Sequence, residues 1–265
     1  MDSLATHFSI LVPAFLAGFL VLLTHVPMGQ EVLKRGIIFL DLAIAQTAAL
    51  GVIVAGSIGV VTNQGAAMDY LTQGIAMFSA VVVASLLYYC RHFEARIQEA
   101  LIGIIFILAS TGSYLLVTGD AHGIERMKAV LVGQILWVTT EQLVFTLCIY
   151  IVVLSIFYLF KKRLNGFMFY PLFAVTVTLS TQLVGVYLVF ASLIVPALVA
   201  LLFSNSYFIA WLTGLLAYLI GLVCSSVFDL PSGPLIAWCM AALGLCVYML
   251  KKLINSLSSN PNISE

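Results

Sequence analysis

Groups able to do chemistry are sparse in these 265 residues, and they fall into three places. The run "RGIIFLDLAIAQTAALG" (35–51) is apolar except for Asp41 and Gln46 beyond its opening arginine. The stretch "RHFEARIQEA" (91–100) sets Arg91, Arg96 and Glu99 at the mouth of a second apolar run. The stretch "GDAHGIE" (119–125) brings Asp120, His122 and Glu125 within six residues. Carboxylates with imidazole suit a borderline divalent cation such as zinc, or manganese where oxygen dominates. Near the middle of a bilayer a carboxylate costs at least about 2.5 kcal/mol on insertion scales, so a chain that keeps one either hides it or uses it. Helical spacing puts Ala45, Ala48 and Ala49 on the side of Asp41, a face of small residues open to a close helix or a narrow path. Asp41 is therefore read as lining a path. Gln46 lies about 140° around the helix and is read as a helix–helix hydrogen bond.

Glu99 reads equally as a first-turn acid on a helix dipole and as a ligand where a path leaves the membrane. Asp120, His122 and Glu125 form a candidate outer mouth for a cation. Arg91 and Arg96, with Glu94, read as a charged surface for a soluble partner. His25 is expected at the membrane interface, and Asp229 of "FDLPSGP" (228–234) in a turn. Pro196 removes a helix hydrogen bond and so favours a kink, a natural hinge. The cysteines Cys90, Cys148, Cys224, Cys239 and Cys246 make no CxxC pair and read as small buried hydrophobes.

These groups must be carried by membrane helices. The chain is 63% hydrophobic and 8% charged, against about 25% charged in soluble domains, and its mean hydropathy is +1.15. The expectation is an all-α integral membrane protein, a polytopic helical bundle with about nine transmembrane helices and eight as the alternative. Spans of about 20 residues are expected at 8–26, 36–59, 70–90, 98–118, 143–160, 167–184, 186–203, 208–227 and 235–250. Dividing 167–203 in two requires a tight turn in "TQLVG" (181–185). With nine spans, nine of the eleven Lys and Arg residues fall on one side, leaving only Arg126 and Lys128 opposite. That bias puts the N-terminus outside and the C-terminus in the cytoplasm. Residues 1–254 are expected to form one transmembrane domain, and 255–265 a polar, disordered tail. The start "MDSLATHFSI" lacks a basic region and reads as a retained helix rather than a cleaved signal. The segment 124–138 is amphipathic and too short to span, so it should lie on the outer face, with "TTEQ" (139–142) capping the next span. Zero net charge argues against a nucleic-acid partner.

In order along the chain, "VPMGQEVLKRG" with "FLDLAIAQTAALG", "EALIGIIF", "GIERMKAVLVGQILWVTTEQL", "VGVYLVFASLIVPALVALL" and "FDLPSGPLIAWCMAALGL" resemble motifs of the ABC-3 permeases. These are membrane subunits of bacterial importers of zinc, manganese and iron. The resemblance implies a non-enzymatic permease that binds no cofactor, works as a homodimer in the bacterial inner membrane and takes a divalent metal as cargo. Zinc comes first, then manganese or iron. It implies cytoplasmic ATPase subunits holding the ATP, an extracytoplasmic metal-binding protein, and membrane lipid around the bundle. No Walker A motif is present, so any ATP is hydrolysed by another chain. The family's membrane histidine, four residues after the Asp, has no counterpart; Gln46 holds that place when the alignment is anchored on "AALG". A second family histidine falls on Ile107, and the stretch after the fifth span shrinks to "KKRLNGF" (161–167). The alternative is a stand-alone membrane protein on the same scaffold, a secondary carrier or a non-transporting assembly subunit. The short cytoplasmic loops favour that alternative, because an ATPase needs a protruding element to grip.

Overall fold

A computed structural model of the chain describes residues 2–57, 70–118, 123–160, 166–204 and 206–258. Every regular element among them is helical: α1 (Asp2–Arg35), α2 (Leu40–Ser57), α3 (Tyr70–Tyr89), α4 (Ala95–Val117), α5 (Gly123–Val132), α6 (Thr140–Leu159), α7 (Phe169–Val184), α8 (Val186–Leu202), α9 (Tyr207–Phe228) and α10 (Ser232–Ser258). Short 3-10 turns follow α3 at Cys90–His92 and α5 at Ile135–Trp137. In hydrocarbon every backbone N–H and C=O must find its partner within the segment, which leaves helices as the solution for apolar runs of this length.

The membrane-quality helices are α1 (over Ile10–Arg35), α2, α3, α4, α6, α9 and α10, seven in all among the described residues. α7 and α8 differ. They hold 16 and 17 residues, about 24–26 Å at 1.5 Å per residue, and meet at Gly185 through a 120° bend. Each alone falls short of a hydrocarbon core of about 30 Å. They are the two short helices expected at 167–184 and 186–203, joined by a tight turn, and counted as one bent unit they bring the described membrane-length elements to eight, the alternative count. The pair starts and finishes at the same end of the bundle. At its start Arg35 of α1 stacks on Phe169, 3.9 Å from the ring centroid, and just past its finish Lys251 of α10 lies 4.5 Å from the Phe203 ring centroid. That end also carries Lys34, Arg91 and Arg96, and is called the basic end below.

The sharp bend sits at Gly185, the last residue of the "TQLVG" in which a tight turn was expected, whereas Pro196 is accommodated in the interior of α8. Gly185 has φ 83° and ψ 160°, a region open in practice only to glycine. Two more glycines close on it. A Cβ on Gly185 would lie 2.4 Å from the Gly133 nitrogen, one on Gly133 (φ 81°) 2.1 Å from the Val184 oxygen, and one on Gly233 2.1 Å from the Val132 oxygen. The end of α5, the α7–α8 bend and the start of α10 thus touch backbone to backbone at the far end.

α1 runs unbroken through Pro27 to Arg35, well past the expected limit at residue 26, because the Lys34–Arg35 pair suits a helix C-terminus. Its central residues pack among α8, α9, α6 and α7. A Cβ on Gly29 would lie 2.2 Å from the Leu193 oxygen, so α1 and α8 also meet at backbone distance. α2 packs on α3 and α4, with α7 beside it. α5, ten residues long, rests against α4, α2 and α8 as the sequence led one to expect. Thr139 then opens α6 with a capping box: its hydroxyl accepts from the Gln142 amide, and the Gln142 side chain accepts from the Thr139 amide.

The junction yields a first prediction. Gly185→Ala should lower stability by about 1–3 kcal/mol from backbone strain alone, with the collision at Gly133 adding to it. Gly36→Ala, at φ 68° with nothing within 4 Å of its Cβ position, should cost distinctly less. Unfolding midpoints of the two detergent-solubilised variants check the order.

Candidate functional site

Asp41 is the second residue of α2, in the first turn at the basic end, not in mid-span as the sequence led one to expect. The reason is local. Four residues from Gly36 to Phe39 separate the helices, so α2 begins at Leu40 and carries Asp41 to its positive end. The side chain is fully buried, and neither carboxylate oxygen has a hydrogen-bond partner among the described residues. Ala45, Ala48 and Ala49 are buried on the same helix, and Gln46 is 5% exposed.

The other expected ligands do not join it. Glu99 sits in the second turn of α4 with its side chain exposed, whereas the adjacent Gln98 is buried. A buried carboxylate and an exposed one form no closed site within one chain. Glu125 is exposed in the first turn of α5, at the end of the bundle opposite Asp41. Asp120 and His122 lie outside the described residues. Among the described residues no three His, Cys, Asp or Glu side chains come together as a metal-binding group.

The basic end is built differently from a free charged surface. The Arg91 guanidinium lies 4.2 Å above the Tyr88 ring centroid, and Tyr88 meets Phe167 and Tyr170 edge to face at 5.1 and 5.5 Å. Phe169, which carries Arg35, stacks on Phe173 at 5.3 Å. Arg35 therefore ties the end of α1 to the start of α7, and the Tyr88 ring, covered by Arg91, ties the end of α3 to it. Arg96, in the first turn of α4, is exposed. Met28, Gly29 and Gln30 are buried, so the basic end presents less of "MGQEVLKR" than the sequence suggested.

Comparison with known proteins places this arrangement. The ABC 3 transport family matches the chain over residues 7–181 and 162–251. The manganese transport system membrane protein MntC of Halalkalibacterium halodurans is 27% identical over 250 residues, spanning 85% of this chain and 82% of that protein. An uncharacterized membrane protein of Cyanophora paradoxa is 25% identical over 271 residues, covering 93% of this chain and 86% of its own. The structure of PsaBC from Streptococcus pneumoniae in complex with Fab superposes with a TM-score of 0.73 at 20% identity, over 92% of this chain and 95% of that one. At that identity the likeness is one of fold.

The polar residues that sequence reasoning missed lie in the bundle core. His25, expected at the interface, is fully buried. α1 continues ten residues beyond it, about 15 Å, which moves it inward by half a membrane. The Thr24 hydroxyl donates to the Val21 carbonyl at 3.1 Å, so it accepts from His25 Nδ1 at 3.2 Å. Among the described residues His25 Nε2 is buried without a hydrogen-bond partner. The Tyr150 hydroxyl meets Ser180 at 2.5 Å, and Ser180 donates to the Thr176 carbonyl at 2.9 Å. Tyr218 meets Ser192 at 2.9 Å. Only a tyrosine in each of the apolar runs "CIYIVV" and "LLAYLI" signalled them. Tyr150→Phe should destabilise by about 1 kcal/mol, since it removes one buried hydrogen bond while Ser180 keeps its backbone acceptor. Thermal unfolding of the purified variant measures it.

Proposed function

The chain belongs to the ABC 3 transport family, and on that premise we propose that it is the membrane permease subunit of an ABC importer for a divalent metal ion. One observation carries the reading: Asp41 holds two carboxylate oxygens in a fully buried place, and among the described residues no side chain reaches them with a hydrogen bond. An isolated buried carboxylate is costly, whereas a passing divalent cation supplies the missing charge. The first-turn position eases the wait between ions, because the exposed amides of a helix start favour negative charge.

The donor chemistry supports manganese ahead of zinc or iron, reversing the order taken from the sequence. Asp41 offers oxygen, the family's helix histidine is absent, and oxygen donors suit manganese. The manganese transport function named for the Halalkalibacterium halodurans relative points the same way. Weak oxygen coordination also suits transport, in which the ion must leave as readily as it enters.

The remaining parts follow from the family. Two copies form the permease, cytoplasmic ATPases bind the basic end, and an extracytoplasmic metal-binding protein delivers cargo at the far end. Among the described residues six of the eight Lys and Arg lie at the basic end (Lys34, Arg35, Arg91, Arg96, Lys251 and Lys252, against Arg126 and Lys128), which supports a cytoplasmic C-terminus. Glu99, exposed on one chain, and Glu125 with Asp120 and His122 remain proposed stations at the two mouths.

Asp41→Asn should insert and fold like the parent, because no hydrogen bond is lost, and should abolish manganese uptake in metal-depleted cells. Uptake at the parental rate would return Asp41 to a structural role. Arg96→Glu should weaken ATPase co-purification, since Arg96 is exposed and free of the aromatic cluster that holds Arg91. An ATPase retained equally by parent and variant would move the docking surface elsewhere.

A further inference from the structure

α8 and α10 both leave the glycine junction at the far end and run side by side to the basic end. A groove of about 520 Å³ opens between them, lined by Leu198, Leu202, Ala241, Leu245 and Tyr248 among others. It exists because Gly244 brings the helices close: a Cβ there would lie 2.8 Å from Val195. Beyond this contact the larger side chains splay apart.

The depth of the groove matches one leaflet. From Ser232 to Lys251 the rise is about 28 Å, close to a hydrocarbon core of about 30 Å. From Ala241 to Lys251 it is about 15 Å, half of that core. The groove lining on α10, Ala241 to Tyr248, rises about 10 Å and so fits within the acyl depth of the leaflet at the basic end, and Lys251 follows one turn beyond it, towards the headgroups. Lys251 is half-buried, with its ammonium folded over Phe203, and Lys252 beside it is exposed.

The mouth is electropositive by every element that forms it. No acidic residue occurs in Val186–Phe228 or in Ser232–Ser258, so neither wall offers either lysine a carboxylate. α9 begins at Tyr207, four residues past Phe203, with Ser206 as its cap. The first-turn amides of a helix have no acceptor of their own and favour an anion. Lysine acts as a compact point charge for phosphate. A slot for a hydrocarbon chain thus ends at two ammonium groups and a helix start.

We propose that the α8–α10 groove is a binding site for an anionic phospholipid, whose acyl chain lies along Leu198, Ala241 and Leu245 and whose phosphate meets Lys251 and Lys252. Because α8 is half of the bent pair, a lipid held there fills the space on the outer side of that element. The site is independent of the metal reading and stands or falls on lipid binding alone.

Native mass spectrometry of the detergent-solubilised full chain tests it, with phosphatidylglycerol and phosphatidylcholine of identical acyl chains in competition. The parent should retain phosphatidylglycerol in preference, and the preference should fall roughly fivefold for each lysine removed in K251Q/K252Q. Ala241→Trp, which fills the groove from an exposed position, should lower retention of both lipids. Should K251Q/K252Q not elute as a single species, K252Q alone carries the fivefold step. Equal retention of both lipids by the parent, an unchanged preference without the lysines, or an unchanged retention in the tryptophan variant each overturns the proposal. So does efficient cross-linking between two protomers bearing Leu198→Cys and Leu245→Cys, which would give the groove to a second copy.

Discussion

Backbone contact at Gly133, Gly185 and Gly233 is the constraint from which the rest of the architecture follows. With no side chains in the way, the end of α5, the α7–α8 bend and the start of α10 touch directly. A chain that turns through 120° inside a membrane exposes polar backbone at the turn. That is tolerated only where protein buries it. α5 is the piece that does so, which explains a ten-residue helix too short to span and too amphipathic to leave the surface. The bend fixes where α8 lies, and α8 then sets the backbone contact with Gly29 of α1 and the groove beside α10.

The basic end is held by a different physics. Arg35 on the Phe169 ring joins α1 to α7, and Tyr88, with Arg91 over its face, joins α3 to α7 through Phe167 and Tyr170. Such contacts are worth about 0.5–1 kcal/mol where exposed and about 2 where desolvated. They are weaker than backbone contact and easier to rearrange. The bundle is therefore held more firmly at the far end than at the basic end, where Asp41 is buried.

Polar groups in the core divide into satisfied and unsatisfied sets. The tyrosine hydroxyls of Tyr150 and Tyr218 each find a serine, tying α6 to α7 and α8 to α9. Among the described residues Asp41, His25, Gln30, Gln73 and Thr178 keep unpartnered atoms. Unsatisfied buried groups are expensive, so natural chains tend to keep them only where they do something. Of these, Asp41 alone offers a carboxylate to a cation.

Composition and the 20-residue period determined the class: membrane helices, their approximate places, the short outer segment, the Thr139 cap and the charge asymmetry between the two ends. These are local properties, written in the order of residues, and the ABC-3 resemblance was carried by motifs equally local. The tertiary structure decided what depends on neighbours distant in sequence. It moved Asp41 to the first turn of α2 and His25 into the core, because a helix end is set by where the chain finds packing and not by where hydropathy fades. It parted Glu99 from Asp41, since an acid in an apolar run has no fixed facing until other helices surround it. And it set the Gly185 turn, which "TQLVG" had signalled, against Gly133 of a segment about fifty residues away, because a glycine at φ 83° lets two backbones touch.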